Sequence, residues 1–288
     1  MSSSTLKWLC LPWLICRYTG AVAEVAVITG STGVLGRCLA KLSVDMVSEV
    51  WCGYRDPAKA IALQHDLRHS SRAHYFHYDT VHWSTETALP APLVRQLRSS
   101  DQIYLFNNAA VCVEGNSFQT MKESIHVNAL APIRLAISMI GLLSPLCNES
   151  ALNVVNVSSG EGERVFLHSE VANKLRSIST FDEWDNYITH LLNNYDSEFE
   201  YGFGDSPFYS LSKALLNTAT RLLHQEYSPD VRAIAVCPGN FISPMSTEEE
   251  MLDARSALSV AESVLEMAFD SDRFRSGKFY RFGTEIDW

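Results

Sequence analysis

The sequence predicts a single α/β domain built on a doubly wound parallel sheet. Short, fully apolar and β-branched runs such as Val25–Ile28 are typical of strands that are buried on both faces. These runs alternate with segments of helical periodicity, and no internal repeat or long Pro/Gly/Ser linker interrupts them. Alternating strands and helices of this kind build a parallel sheet with helices on both faces.

The predicted elements follow one another in a regular order, and each has a local reason. The strands are short apolar runs, whereas the helices carry apolar residues at intervals of three and four. Strands after the first are predicted at 50–52, 75–78, 102–106, 153–157, 231–236 and 278–281. Helices are predicted at 34–47, 58–67, 92–98, 121–143, within 207–226, around 247–255 and at 260–269.

Two segments depart from this alternation. Residues 1–23 are interpreted as an N-terminal extension, and residues 24–288 as the domain. Residues 161–206 are rich in charge, contain the helical stretch 181–193 and are interpreted as a helical insertion. The apolar run from Trp8 to Cys16 is too short to span a bilayer. For residues 1–20, an ordinary extension, an organelle-directing or peripheral membrane segment and a secretory signal all stay open.

Composition limits the partners and the compartment. The net charge of −10 and the absence of a basic run argue against nucleic-acid binding. The 47% hydrophobic content is enough for a full core. Seven cysteines without a C-x-x-C pair are typical of reduced thiols rather than of disulfides or a zinc site. We therefore expect a cytoplasmic protein without a metal.

A glycine-rich turn, TGSTGVLG at 29–36, joins the first strand to the first helix. Its glycines let the backbone turn tightly and approach a diphosphate. The helix N-terminus then presents free N–H groups and the positive end of its dipole. The turn is therefore predicted to bind a dinucleotide cofactor. The residues predicted to contact that cofactor here are Gly30, Thr32, Gly33, Val34, Leu35 and Gly36.

The end of the second strand indicates which dinucleotide is bound. Enzymes that use NAD commonly place a carboxylate there to hold the ribose 2′-hydroxyl. Here Arg55 occupies that region, and the first acid, Asp56, comes one position later. The planar guanidinium of Arg55 can pair with a 2′-phosphate. NADP(H) is therefore the predicted cofactor; the alternative interpretation of Arg55 is a solvated loop residue.

The pattern Tyr209-Ser-Leu-Ser-Lys213 opens a predicted helix. Residues four apart share a helix face, so an ammonium lies beside a phenol. A nearby positive charge lowers a tyrosine pKa, and such a tyrosine can pass a proton to a carbonyl oxygen. The pattern alone is common by chance. However, Asn107-Asn108, Ser158-Ser159 and Pro238-Gly239 all follow predicted strands, whose carboxyl ends meet at one edge of a parallel sheet.

Taken in order, these motifs resemble the short-chain dehydrogenase/reductase family from Glu24 to Trp288. The matching motifs are TGSTGVLG at 29–36, NNAA at 107–110, HVNALAP at 126–132, NVSSG at 156–160, YSLSK at 209–213 and CPG at 237–239. The resemblance implies a single-domain Rossmann fold. It also implies a reductase that transfers a hydride from NADPH to a small-molecule ketone, aldehyde or quinone, giving an alcohol.

The resemblance implies roles for individual residues. Tyr209 would be the proton donor, Lys213 would lower its pKa and hold the nicotinamide ribose, and Ser159 would bind the substrate oxygen. Asn128 would anchor a water that continues the proton relay. The further cofactor contacts that it implies are Asp79 beside the adenine, then Asn107, Ala109, Pro238, Gly239 and, at the nicotinamide carboxamide, Ser243.

Two details bear on the subfamily. Residues 160–208 form a long gap between Ser159 and Tyr209, and the chain ends in SGKFYRFGTEIDW. Both features resemble the monomeric carbonyl reductases and the plant menthone and salutaridine reductases, in which the insertion covers the dimerising face, so a monomer is implied. The spacing G-x-x-G-x-x-G, with Val34 in place of a middle glycine, is instead similar to the extended, sugar-nucleotide branch.

Three functions therefore remain open: an NADPH-dependent carbonyl reductase, a non-catalytic NADP-binding sensor or scaffold, and an extended-type enzyme that modifies sugar nucleotides. The third normally carries a larger C-terminal substrate domain than residues 240–288 provide. The substrate class rests on side chains that belong either to an apolar pocket or to the core. These are Phe166, Phe203, Phe208, Phe241 and Met245.

Overall fold

Eight strands form one sheet in the part of the chain that the computed structural model describes, which comprises residues 23–81, 89–143, 151–242 and 254–288. The strand order is β3-β2-β1-β4-β5-β6-β7-β8. The strands are β1 (Glu24–Ile28), β2 (Glu49–Tyr54), β3 (Ala73–His77), β4 (Gln102–Asn107), β5 (Ala151–Val157), β6 (Val231–Cys237), β7 (Lys278–Arg281) and β8 (Thr284–Ile286). The predicted extension 1–23 lies, apart from Ala23, outside the described residues.

The predicted parallel sheet is present, with one addition at its edge. Strands β1 to β7 pair in parallel, whereas β8 pairs with β7 in the antiparallel direction. Only Phe282 and Gly283 connect β7 to β8, and both have positive φ. A connection this short permits only antiparallel pairing. The polar three-residue β8 carries no hydrophobic pattern, so the sequence did not predict it.

Helices cover both faces of the sheet. They are α1 (Val34–Ser43), α2 (Pro57–Asp66), α3 (Ala91–Arg98), α4 (Phe118–Ile125), α5 (Ala131–Leu143), α6 (Ser169–Ser177), α7 (Phe181–Asn193), α8 (Pro207–Tyr227) and α9 (Ala257–Phe269). Alternate residues of β1 enter different cores: Val25 and Val27 join one, and Ala26 and Ile28 join the other. A strand buried on both faces needs an unbroken apolar run, which is the pattern in the sequence.

The long helix predicted at 121–143 is interrupted. One π-helical turn, His126–Leu130, separates α4 from α5. The combined run Phe118–Leu143 is long enough to cross a membrane and contains an 18-residue window with a mean hydropathy of 1.5, but 61% of that window is buried inside the fold. Its apolar residues face the sheet and the neighbouring helices, as in the core helices of many globular proteins.

The segment that precedes the helix with Tyr209 is helical, as predicted. It contains α6, α7 and two short 3-10 turns, Gly160–Gly162 and Arg164–Phe166. Helix α7 packs against α4 and α8. Its Trp184 is 2% exposed and donates its indole N–H to the Leu215 carbonyl of α8 at 3.0 Å. The segment is therefore part of the core on this face.

Candidate active site

The carboxyl ends of the parallel strands meet at one edge of the sheet. In register, Ile28 of β1 lies beside Phe106 of β4, and Asn107 lies beside Asn156 of β5. Ligands of open α/β sheets bind at this edge. The residues that follow the strands are therefore close together, as the sequence predicted for its polar strand-end motifs.

The glycine turn leaves β1 with Gly30 in a left-handed conformation, at φ +60°. A Cβ on Gly30 would come within 2.8 Å of the Ala109 Cα. A Cβ on Gly36 would overlap the Gly30 carbonyl oxygen and lie 2.8 Å from Asn108 Nδ2. The turn is thus folded against the first turn of α1 and the end of β4, which only glycine permits at these two positions.

The start of α1 is open toward the crevice. Gly33 stands at the N-cap and no side chain caps this end. The first helical bond runs from Arg37 N to Gly33 O at 2.9 Å, so the N–H groups of Val34, Leu35 and Gly36 precede the helical bonding pattern. Free N–H groups at a helix N-terminus bind phosphate. The turn therefore fits the diphosphate of a dinucleotide cofactor.

Asn108, which was predicted only as part of a motif, holds this turn in place. Its Nδ2 donates to the Thr29 and Gly30 carbonyls at 3.0 and 3.1 Å. Asn107 lies beneath the surface at 3% exposure, and its Nδ2 donates to Pro132 O and Asn156 Oδ1. The Asn107 side chain thus joins β4, β5 and α5, and its predicted contact with the cofactor stays a prediction.

The residues after β2 and β3 border the same edge. Ser31 donates its hydroxyl to the Gly53 carbonyl at 2.9 Å, which ties the glycine turn to β2. Arg55, two residues beyond Gly53, is exposed and has no hydrogen bond or ion pair within the described ranges. Asp56 is used differently: its carboxylate caps α2 by accepting from Ala58 N. Asp79 accepts from Val81 N at 3.0 Å.

Tyr209, Lys213 and Ser159 lie together at the start of α8. The Lys213 Nζ lies 5.5 Å from the centre of the Tyr209 ring and donates to the Val157 carbonyl at 2.8 Å. Lys213 is only 2% exposed. Ser159 follows the end of β5, and its Oγ accepts from Glu161 N at 3.2 Å. The three side chains that were predicted to act together are therefore brought to one place.

The electrostatics of this group differ from the expectation. Burial raises the pKa of the Tyr209 phenol, and the neighbouring Ser159 hydroxyl acts in the opposite direction. Burial also lowers the pKa of Lys213 to about 8. The ammonium was predicted to lower the phenol pKa. Desolvation, which penalises the charged form, instead has the largest influence on both groups, and this role of Lys213 stays a prediction. At neutral pH the phenol keeps its proton and is a donor.

Asn128 stands in the π-helical turn between α4 and α5. Its carboxamide bonds both backbone groups of Val111, with Oδ1 accepting at 2.9 Å and Nδ2 donating at 2.8 Å. Nδ2 also donates to the Ser212 hydroxyl at 3.0 Å. The side chain is 1% exposed. Asn128 thus links the loop after β4 to α8 at Ser212, the residue before Lys213. Its predicted role in holding a water stays a prediction.

The far side of the crevice begins at Pro238 and Gly239. Gly239 has φ +69°, and the Phe282 ring packs against it. Ser243 and Met245 lie outside the described residues. Of the aromatic residues assigned to a pocket or to the core, Phe208 is fully buried and packs on Tyr201. It belongs to the core.

Two residues near the site were missed by sequence reasoning. Arg281 ends β7 beside Cys237 of β6 and forms an ion pair with Glu163. Its guanidinium would come within 2.5 Å of a Cβ on Gly160, the residue after Ser159. Cys112 Sγ lies 3.6 Å from the Ser206 hydroxyl, near the start of α8. Arg281 lies at the carboxyl end of a parallel strand, where ligands of α/β sheets bind. The same rule that identified the serines and asparagines could therefore have identified Arg281.

The fold and this edge define a dinucleotide-binding enzyme of the α/β class. The chain belongs to the short chain dehydrogenase family, whose model matches residues 24–171. This is an oxidoreductase family that uses nicotinamide cofactors. Comparison with curated protein sequences gives no match. In the described ranges no group of three or more His, Cys, Asp or Glu side chains is arranged to hold a metal ion.

Solved structures with the same fold include three reductases. Salutaridine reductase from Papaver somniferum is 21% identical, with a TM-score of 0.70 over 89% of this chain and 99% of that one. Menthone neomenthol reductase from Mentha piperita is 19% identical, with a TM-score of 0.70 over 91% and 99%. The NADPH-bound carbonyl reductase from chicken fatty liver is 18% identical, with a TM-score of 0.66 over 93% and 99%. These likenesses show the fold.

The substitution Gly36→Ala tests the glycine turn. The added methyl group would overlap the Gly30 carbonyl and displace the backbone that faces the diphosphate. We expect nicotinamide-cofactor affinity to fall by about tenfold or more, with a stability loss of about 1–3 kcal/mol from overpacking. Titration calorimetry and denaturant unfolding measure the two effects.

Gly141→Ala is the matched control, since a Cβ at Gly141 in α5 meets nothing within 4 Å. It should leave cofactor affinity unchanged and raise helix stability by roughly 0.5–1 kcal/mol. Equal cofactor affinity in the wild type and in Gly36→Ala would contradict the assignment of the turn.

The lowered pKa of Lys213 predicts how stability depends on pH. Between its folded value of about 8 and an unfolded value of about 10.4, the unfolded chain binds more protons, so the free energy of unfolding rises with pH. From pH 7.5 to 9.5 the wild type should gain about 2 kcal/mol relative to Lys213→Met. Urea unfolding of the cofactor-free proteins measures the difference. Parallel pH profiles for the two proteins would refute the pKa assignment.

Proposed function

We propose that this protein is an NADPH-dependent carbonyl reductase, which converts a ketone, aldehyde or quinone to the alcohol. One observation carries the proposal: the Tyr209 phenol, the Ser159 hydroxyl and the buried Lys213 meet at the same sheet edge as the open start of α1. The family and the fold shared with three reductases support the reaction type.

A nicotinamide cofactor, when bound, supplies the hydride that reaches the carbonyl carbon. Tyr209 donates its phenolic proton to the carbonyl oxygen, and Ser159 orients that oxygen by hydrogen bonding. Because burial raises the phenol pKa, Tyr209 holds a proton to donate over the whole neutral range. Lys213 lies on the Tyr209 ring face and, when protonated, stabilises the phenolate that remains after transfer.

Arg55 supports NADPH as the preferred cofactor. It follows the second strand, and its guanidinium has no partner among the described residues, while the nearest acid, Asp56, is engaged at the α2 N-cap. A planar guanidinium pairs well with a phosphate dianion. The neighbouring Asp56 carboxylate already accepts a hydrogen bond from the Ala58 N–H at 2.9 Å.

Exposed aromatic side chains support a substrate with an apolar body. Phe166 and Phe203 are 39% and 49% exposed, and the Phe203 N–H donates to the Phe166 carbonyl at 2.9 Å. Both follow Ser159 within the helical segment. Exposed apolar side chains that lie together are typical of binding surfaces.

The assembly and compartment belong to the same proposal. Helix α7 packs across α4 and α8, with Trp184, Ile188 and Leu191 buried. A helix that covers this face leaves it unavailable for dimerisation, which supports a monomer. The four described cysteines, Cys38, Cys52, Cys112 and Cys237, are free thiols, which supports a reducing compartment such as the cytoplasm.

Tyr209→Phe tests the chemistry. Removing the hydroxyl leaves the ring packing in place but eliminates the proton donor, so kcat should fall by about 10²–10⁴-fold. NADPH affinity, measured by fluorescence titration, should stay within about twofold, since the phenol is not expected to hold the cofactor phosphates. Turnover is measured as NADPH oxidation with a panel of ketones, aldehydes and quinones.

Tyr227→Phe is the control for this substitution, because Tyr227 is the last residue of α8, whereas Tyr209 lies in its first turn. Its turnover should match the wild type. Full activity in Tyr209→Phe would remove this residue from the mechanism. A wild type that binds NADPH but oxidises it with no member of the panel would favour the sensor or scaffold alternative.

Arg55→Gln tests cofactor choice. Loss of a charge-assisted pair with the 2′-phosphate costs roughly 1.5–3 kcal/mol, so kcat/KM for NADPH should fall by about tenfold or more. The value for NADH should change little, because NADH lacks that phosphate. Arg98→Gln, an exposed arginine at the end of α3, controls for the change in net charge. Equal losses with both cofactors would contradict the assignment.

A further inference from the structure

A second cavity lies apart from the site described above. It has a volume of about 660 Å³, opens to solvent and is bordered by the Arg164–Phe166 turn, α6, α8 and the β7–β8 hairpin. Lys278 and Gly277, at the start of β7, line it, whereas the crevice lies beyond Arg281 at the other end of that strand. Ser159 and Tyr209 do not line this cavity.

Three arginine side chains meet in this cavity: Arg164, Arg176 and Arg221. They are close enough to affect one another. Burial and then Arg176 lower the pKa of Arg164, and burial and then Arg164 lower the pKa of Arg221. The chain as a whole carries a net charge of −10, so a cluster of like positive charges is a local departure from the average surface.

The carboxylates around the cavity offset only part of the charge of this cluster. Asp287 lies 3.4 Å from Arg164, but its carboxylate is 98% exposed. Glu285 is already paired with Lys278 at 2.6 Å and with Arg275 at 3.0 Å. Exposed pairs such as the one with Asp287 contribute little.

Most guanidinium donors of the cluster have no acceptor within the described ranges. Arg221 donates once, to the Ile178 carbonyl at 2.8 Å. Arg176 is exposed and makes no hydrogen bond or ion pair with any described residue. Each guanidinium offers five N–H donors in a planar fork. The arrangement leaves like charges together, which is unfavourable unless an anion joins them.

The cavity also has an apolar wall. Phe279, Ile286 and Trp288 line it with the arginines. The Arg164 guanidinium lies 5.6 Å from the centre of the Trp288 ring, a geometry in which a cation and a ring attract each other. An occupant therefore meets both positive charge and apolar surface.

We propose that this cavity binds a small organic oxyanion whose phosphate or sulfate group accepts hydrogen bonds from Arg164, Arg176 and Arg221. The apolar body of the ligand packs on Trp288 and Ile286. Clustered guanidinium forks match the several acceptor oxygens of such a group better than a single carboxylate does. This site is separate from the proposed reductase chemistry and does not depend on it.

Titration calorimetry of the full chain with phenyl phosphate, at constant ionic strength, tests the proposal. Phenyl phosphate carries both an oxyanion and an apolar ring. The double variant R176Q/R221Q should bind it about tenfold or more weakly, because two charge-assisted contacts are lost. The double variant R95Q/R98Q, with the same charge change on α3, should bind it as the wild type does. If the double variant does not fold, R176Q alone is used, because Arg176 is exposed. It should weaken phenyl phosphate binding by a smaller factor than the double variant.

Further arms separate the possible sources of binding. The titration is repeated with excess NADPH, because phenyl phosphate can also bind at the glycine turn. Binding that persists in the presence of NADPH and is lost in R176Q/R221Q supports the proposed site in the cavity. Inorganic phosphate should bind more weakly than phenyl phosphate, and equal affinities would overturn the apolar part of the proposal. Equal affinities in the two double variants, or no binding by the wild type, would overturn the site itself.

Discussion

The contact between the Asn108 carboxamide and the carbonyls of Thr29 and Gly30 is the constraint on which the crevice depends. It joins the end of β4 to the turn after β1. The glycine turn then determines where α1 begins, because Gly36 of α1 lies directly against the Gly30 carbonyl. A side chain at either glycine would separate these backbones. The direction of the open helix N-terminus thus follows from backbone contacts that leave no room for a Cβ.

Desolvation dominates the reactive group. Lys213 is buried and Tyr209 is partly buried, and each has its neutral form favoured by desolvation. A buried amine near the phenol costs folding free energy, and its hydrogen bond to Val157 offsets part of that cost. For a proposed proton donor this state is appropriate, because the phenol must hold a proton when a carbonyl substrate arrives.

The β7–β8 hairpin connects two parts of the crevice. Arg281 pairs with Glu163 beside the Ser159 loop, and Phe282 packs on Gly239 beyond β6. The Arg255 guanidinium lies 5.3 Å from the centre of the Phe282 ring. The hairpin therefore fixes the loops after β5 and β6 relative to each other. On its other side the same hairpin closes the arginine-lined cavity, so the two regions share one structural element.

The sequence by itself determined the strand order along the chain, the two buried faces, the glycine turn and the polar residues at the strand ends. Those features are local: they depend on apolar periodicity and on turn chemistry. Only the tertiary structure decided that Asn108 and not Asn107 holds the turn, that Arg281 lies beside the Ser159 loop, and that burial raises the Tyr209 pKa. These outcomes depend on which distant groups exclude water or supply a hydrogen bond, and spacing along the chain does not encode that.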